Sequence, residues 1–216
     1  MPNWCNNFIM ISGEESNMKP IYDLFNSRAP EVETLVMSTL VPENEEFEEI
    51  KKSNAFILSP YVTYYGTKWD FPLNECDMAI LEPTDVSFNN VTAWSPPEAF
   101  CQRLSEKYGV DVTIQFSEGG CDFAGTTSYS NGELTESETY SYREGTYYLE
   151  PDYFWECVDT DLEWMFCENP SITFDEVLGT MYPFITKEED IKEMEEIYNH
   201  HHKENESAGK EPESEV

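Results

Sequence analysis

A chain of 216 residues is long enough for one domain of ordinary size plus a helical appendage or tail. Its hydrophobic content of 39% and aromatic content of 14% are enough for a packed core, which excludes global disorder. Forty-four acids against twelve bases give a net charge of −32. That charge excludes direct binding to a nucleic-acid backbone or an anionic membrane, and it favours a basic partner. The excess deepens along the chain. Residues 1–132 hold 20 acids and 7 bases, net −13, whereas residues 133–216 hold 24 and 5, net −19. The opening residues lack a basic region followed by an apolar run, so no signal peptide is read. No apolar stretch approaches the roughly 20 residues of a membrane helix. The expected location is cytoplasmic.

In chain order, Asn7 to Ser12 reads as a first strand ended by Gly13, and Ser16 as the N-cap of a helix with Ile21, Leu24 and Phe25 on one face. Residues 30–60 are ambiguous. Leu35-Val36-Met37 fits a short strand, and an acidic segment follows from Glu43 to Glu49. Val62 to Tyr65 is β-branched and aromatic and reads as a second strand, broken by Gly66, with the weakest pattern of the set. Asp85 to Trp94 reads as a strand with Val86, Phe88, Val91 and Ala93 inward. The switch from even to odd numbers implies a bulge at Asn89-Asn90.

Ser95-Pro96-Pro97-Glu98 has the pattern of a capped helix start, with Phe100, Leu104 and Tyr108 following and Gly109 closing. Val110 to Phe116 alternates as a half-buried strand. Phe123 to Tyr129, the turn Asn131-Gly132 and the Thr- and Tyr-rich run to Tyr148 read as a hairpin. Glu150-Pro151 starts a helix to about Phe166, with Trp155, Val158, Leu162 and Met165 on one side. Thr186 to Glu189 has capping-box spacing and opens an acidic helix to about Tyr198; from Lys203 the chain reads as a disordered polar tail.

The order predicts an α+β fold: a ferredoxin-like antiparallel sheet with helices on one face, extended by a β-hairpin and C-terminal acidic helices. The expected division is a core over 1–132, a hairpin strand and acidic helical extension over 133–199 packed on that core, and a disordered acidic tail over 200–216.

Four stretches resemble the YubB-like or Api-like ferredoxin-like domain family of phages, plasmids and related mobile elements. They are Met1-Pro2-Asn3-Trp4-Cys5-Asn6-Asn7, Tyr65-Gly66-Thr67-Lys68-Trp69-Asp70, Ala93-Trp94-Ser95-Pro96-Pro97, and Ser117-Glu118-Gly119-Gly120-Cys121-Asp122-Phe123-Ala124-Gly125. The resemblance implies the ferredoxin-like fold and a mobile-element origin, and carries no enzymatic activity with it.

The chemistry-bearing residues point away from catalysis. All three histidines lie at His200-His201-His202, which leaves none in the core domain for acid–base work. No P-loop, HExxH or nucleophile-elbow pattern is present. The six cysteines (Cys5, Cys76, Cys101, Cys121, Cys157, Cys167) form no CxxC pair and read as reduced core residues, not a metal or disulfide framework. No catalytic residue, metal ligand or cofactor is assigned. Carboxylates are so common here that their proximity carries no information, and a carboxylate-and-metal hydrolase stays as a third alternative.

Two surfaces compete as the functional one. On the 151–166 helix Asp152, Glu156, Asp159 and Glu163 recur at four, three and four, forming one stripe. On the later helix Glu188, Glu189, Asp190, Glu193, Glu195 and Glu196 put six carboxylates within nine residues. That is about one charge per 2.2 Å of helix, against about one per 1.7 Å of duplex DNA axis. A basic nucleic-acid-binding cleft on a host protein would accept such an array, and inhibition of a host defence or DNA-processing protein is the leading expectation. The alternative is a small-ligand or nucleotide-binding module using Lys68, Trp69, Trp94 and the turn at Gly119 and Gly120, because aromatics on ferredoxin-like sheets offer stacking faces.

Overall fold

The computed structural model describes residues 3–27, 34–53 and 59–208. Six strands, β1 (Trp4–Ser12), β2 (Asp77–Glu82), β3 (Asp85–Ala93), β4 (Asp111–Glu118), β5 (Phe123–Ser130) and β6 (Glu133–Tyr140), form one sheet in the order β2-β3-β1-β4-β5-β6. Every pairing is antiparallel. Helix α1 (Glu15–Asn26) links β1 to β2 by way of three short helices, α2 (Val36–Leu40), α3 (Glu45–Ser53) and α4 (Pro60–Tyr65), and helix α5 (Glu98–Tyr108) links β3 to β4. The first four strands with α1 and α5 have the ferredoxin-like order, and the β5–β6 hairpin widens the sheet beyond β4. The fold is α+β, as the chain order predicts.

Pleating explains which side is buried. In β1 Cys5, Asn7, Ile9 and Ile11 face inward, joined by Val86 and Phe88 of β3 and Val112, Ile114 and Phe116 of β4. Met18, Ile21 and Phe25 of α1 and Phe100, Cys101 and Leu104 of α5 complete that core. At the Asn131-Gly132 turn both residues take positive φ (50° and 82°), which is the type I′ geometry that suits a right-twisted hairpin. Gly109 closes α5 at φ 63°.

Several expectations are corrected. Val62–Tyr65 is not a strand. Ser59 accepts a hydrogen bond from Val62 N–H, Pro60 occupies the first turn and Gly66 closes in the left-handed region, so capping overrides β-branched composition and gives α4. The second strand is Asp77–Glu82. Leu35 makes one bridge, to Pro72, and Val36–Leu40 is helical. Helix α1 starts at Glu15, with Ser16 inside it and no side-chain cap. Ser95 does not cap α5, since its hydroxyl donates to Gly66 O.

β3 has no bulge at Asn89-Asn90: its register against β1 is unbroken, Asn90 faces inward, and Val91 is 46% exposed. The irregularity lies in β2, between Met78 and Ile80. The strand after the turn ends at Tyr140 and is followed by α6 (Tyr142–Leu149). Gly145 of α6 sits against Ala124, on the sheet face opposite Phe116 and Gly125.

The chain divides into two compact units, Met1–Gly145 and Thr146–Val216, so β6 belongs with the sheet. From Thr146 onward, helices α7 (Pro151–Glu168), α8 (Phe174–Met181) and α9 (Glu188–Ala208) enclose a second core of Phe154, Val158, Leu162, Phe166, Val177, Tyr182 and Met194. A capping box, Thr173–Glu176, starts α8. Helix α9 runs through His200–His202 to Ala208, past the expected end at Tyr198. Residues 209–216 of the expected tail, residues 30–33 and 54–58 of the ambiguous stretch, residues 28–29 before it, and Met1-Pro2 lie outside the described residues. No described helix is long and apolar enough to cross a membrane.

Candidate functional site

The antiparallel register decides where the four quoted stretches meet. Because β1 lies between β3 and β4, its start faces their ends: Trp4 pairs with Ala93, and Asn6 with Ser117. Just past β3, Trp94 N–H donates to Asn3 O at 2.9 Å. Thr67 Oγ1 and Lys68 N–H both donate to Ala93 O, at 2.9 and 3.4 Å. Asn3 Nδ2 donates to Cys121 Sγ at 2.9 Å. One end of the sheet therefore gathers all four.

On its surface stands an aromatic cluster around a lysine. Lys68 Nζ lies 4.6 Å from the Trp69 ring centroid and 4.0 Å from that of Trp94. Trp4 stands 6.2 Å from Trp69, tilted by 52°. Trp4 and Trp69 are 51% and 47% exposed. Trp94 has φ +79°, a left-handed backbone that bulky residues avoid and that costs about 1–3 kcal/mol. The bond to Asn3 O and the ammonium over its ring hold it there.

Beneath the cluster the inward face turns polar. Asn7 Nδ2 donates to Cys5 O, Asn90 O and Thr92 Oγ1 at 3.1, 3.4 and 3.0 Å. Asn90, 4% exposed, has no hydrogen-bond partner for either side-chain amide atom. Glu118, also 4% exposed, accepts from the N–H groups of Gly120 (2.9 Å) and Cys121. Burial, with Glu118 a second cause, pushes the Cys5 thiol up to about 12.

The turn at Gly119 and Gly120 is thus filled by the chain's own carboxylate. A Cβ on Gly120 would stand 2.8 Å from Glu118 Oε1, which is why glycine is needed there. The two amides that a phosphate would use are already engaged. Lys68, Trp69 and Trp94 come together as the sequence suggests, while the glycines support the neighbouring turn. Trp4, Asn7, Asn90 and Glu118 were not singled out from the sequence. The Asn6-Asn7 pair inside an otherwise apolar strand is the signal that marks them.

The acidic residues belong to the C-terminal unit, apart from this cluster in the chain. It holds 20 acids and 4 bases in 71 residues, net −16. Asp152, Glu156, Asp159 and Glu163 are all exposed on α7, and Glu188, Glu189, Glu193 and Glu196 on α9. Asp190 differs: it is half-buried and accepts from the Tyr147 hydroxyl, whose pKa burial and this bond push up to about 12. Asp159 pairs with His201 Nε2 at 2.9 Å. His202 packs on Tyr198 and Phe166, while His200 is exposed. Among the described residues no three His, Cys, Asp or Glu side chains converge as a metal-ion site.

Comparison with known proteins places the sheet in context. No curated protein matches the chain in sequence. A solved structure, a protein api92 from Yersinia pseudotuberculosis, aligns over 65% of this chain and 99% of its own, with a TM-score of 0.40 and 10% identity. Residues 68–152, from Lys68 of the cluster through β2–β6 and α5 into α7, match the family model of the ferredoxin-like domain in Api92-like protein.

Proposed function

We propose that this chain is a non-catalytic acidic interaction protein of a phage or mobile element, related to the YubB-like proteins as well as to the Api-like ones. It acts in the cytoplasm of the host cell by occupying the basic surface of a defence or DNA-processing protein. The observation that supports this reading is the exposure of nine of the ten carboxylates singled out on α7 and α9, held outward by a core of their own. Fixed negative charges on rigid helices lose no side-chain-bearing backbone freedom on binding, so they present themselves to arginines and lysines much as phosphates do. The half-buried Asp190 leaves five exposed carboxylates in the nine-residue run, a thinner array than the sequence alone implies.

The test is capture of partners on the immobilised chain at low salt, followed by a salt gradient. The expected result is a basic, nucleic-acid-binding protein that DNA displaces competitively and that salt releases steeply. Neutralising Glu156, Glu163, Glu193 and Glu196 to glutamine is expected to shift release to lower salt. Affinity that does not change with salt, or with these substitutions, overturns the reading.

A further inference from the structure

We infer that Trp4, Lys68, Trp69 and Trp94 form a binding site for a small planar aromatic anion, of which a purine nucleoside monophosphate is the simplest example. The ring lies on an exposed indole and the anionic group takes the Lys68 ammonium. This site shares no residue with the acidic helices and does not depend on the function proposed for them.

The lysine is the key. Lys19, Lys51, Lys187 and Lys192 each stand within 4 Å of a carboxylate. Of the other described lysines, Lys107 donates instead to a backbone carbonyl, Leu40 O. Among the described residues Lys68 has no such partner. It is held between two indoles instead, which shield it on two sides and leave its positive charge uncompensated. A strained backbone at Trp94 is maintained to put one of those rings in place.

The flat faces are free as well as numerous. Trp4 and Trp69 are each about half exposed, and their rings meet at a tilt of 52° with centroids 6.2 Å apart, not face to face. An indole offers any base a stacking surface, and a nucleotide satisfies ring and ammonium together. The neighbouring glycine turn is ruled out as the anion's seat, because Glu118 already takes its amides. A long polyanion would meet the full repulsion of the chain. A mononucleotide is screened from charges beyond about 8 Å at physiological salt, so local contacts decide its binding.

The experiment titrates the full chain with adenosine 5′-monophosphate, adenosine and ribose 5-phosphate, following tryptophan emission and calorimetric heat. Saturable quenching by the nucleotide is expected, with weaker binding of adenosine and no quenching by the sugar phosphate. Lys68→Gln is expected to bring the nucleotide down to the affinity of adenosine. Trp69→Ala is expected to weaken both about ten-fold or more. Trp4→Phe keeps a stacking face and is expected to retain binding, which covers the case of an alanine variant that does not fold. No saturable binding of the nucleotide by the wild-type chain overturns the proposal. So does equal binding by folded Lys68→Gln, or a wild-type cluster that engages only a protein partner.

Discussion

Asn7 and Asn90 face each other across the β1–β3 ladder, yet only the Asn7 side-chain amide is hydrogen-bonded. The asymmetry separates two residues of the same type by energetic role. Leaving a buried polar group unpaired costs about 1–3 kcal/mol, whereas removing one that had no partner costs little. Asn90→Leu, which is close in volume, is therefore expected to be neutral or mildly stabilising. Asn7→Leu is expected to cost about 1–3 kcal/mol, because Cys5 O loses its donor. Urea unfolding of both variants with unchanged slope checks this; equal losses from the two would contradict it.

The six thiols should divide by burial. Cys5 is pushed up to about 12 by burial and then by Glu118, and Cys101 is raised further by burial. Near neutral pH the Cys5 thiolate is then about a thousandfold scarcer than for a thiol at the ordinary value. Iodoacetamide at mildly alkaline pH is expected to modify Cys121 and Cys167 first and to reach Cys5, Cys76 and Cys101 only in denaturant. Peptide mass spectrometry reads the order directly.

Arg103 joins α5 to α3 and α4. Its two terminal nitrogens donate to the two oxygens of Glu46 at 2.8 and 2.7 Å, its Nε donates to Tyr64 O, and its guanidinium lies 4.1 Å over the Tyr64 ring. The bond to Arg103 holds the Glu46 carboxyl below the usual carboxylate range. A depressed carboxyl stabilises the fold above its ordinary pKa and loses that contribution as the pH falls through the depressed one. Because Glu46 is half exposed, the pair is worth about 0.2–1 kcal/mol. Glu46→Gln should therefore lower the neutral-pH urea midpoint slightly, with the difference from wild type vanishing in acid.

Gly132 combines φ 82° with a Cβ position only 2.7 Å from Glu106 Cβ. Its N–H donates to Ser105 Oγ and its carbonyl accepts from Gln102, so the turn is tied to α5. Gly132→Ala is expected to cost about 1–2 kcal/mol, against a few tenths for Asn131→Gly, as thermal unfolding of the two would show.

Short-range signals were the legible part of this sequence. The first strand ended by Gly13, the alternation in β4, the Asn131-Gly132 turn and the glycine closing α5 each depend on residues a few positions apart, and each is present. The misreadings arose where a distant partner decides. Val91 looks inward because it is apolar, but the pairing of Asn90 with Asn7 turns it to solvent. Val62–Tyr65 has strand composition, and only the caps at Ser59 and Gly66 make it a helix. At the cluster, Lys68, Trp69 and Trp94 could be singled out by type. The contributions of Trp4, Asn7 and Glu118 depend on an antiparallel register spanning more than a hundred residues. Asp190 looked like one more surface acid until Tyr147, distant in sequence, claimed it.

Glu118 gives the glycine turn a built-in counter-ion. A carboxylate tethered two residues from the amides it serves is present at an effective concentration that free inorganic phosphate does not match, so the loop is occupied for the lifetime of the fold. Exchange of this one side chain for alanine would free two converging amides near a half-buried lysine and three indoles. A structural loop and an anion receptor are separated here by a single residue, and the route from one to the other requires no new backbone.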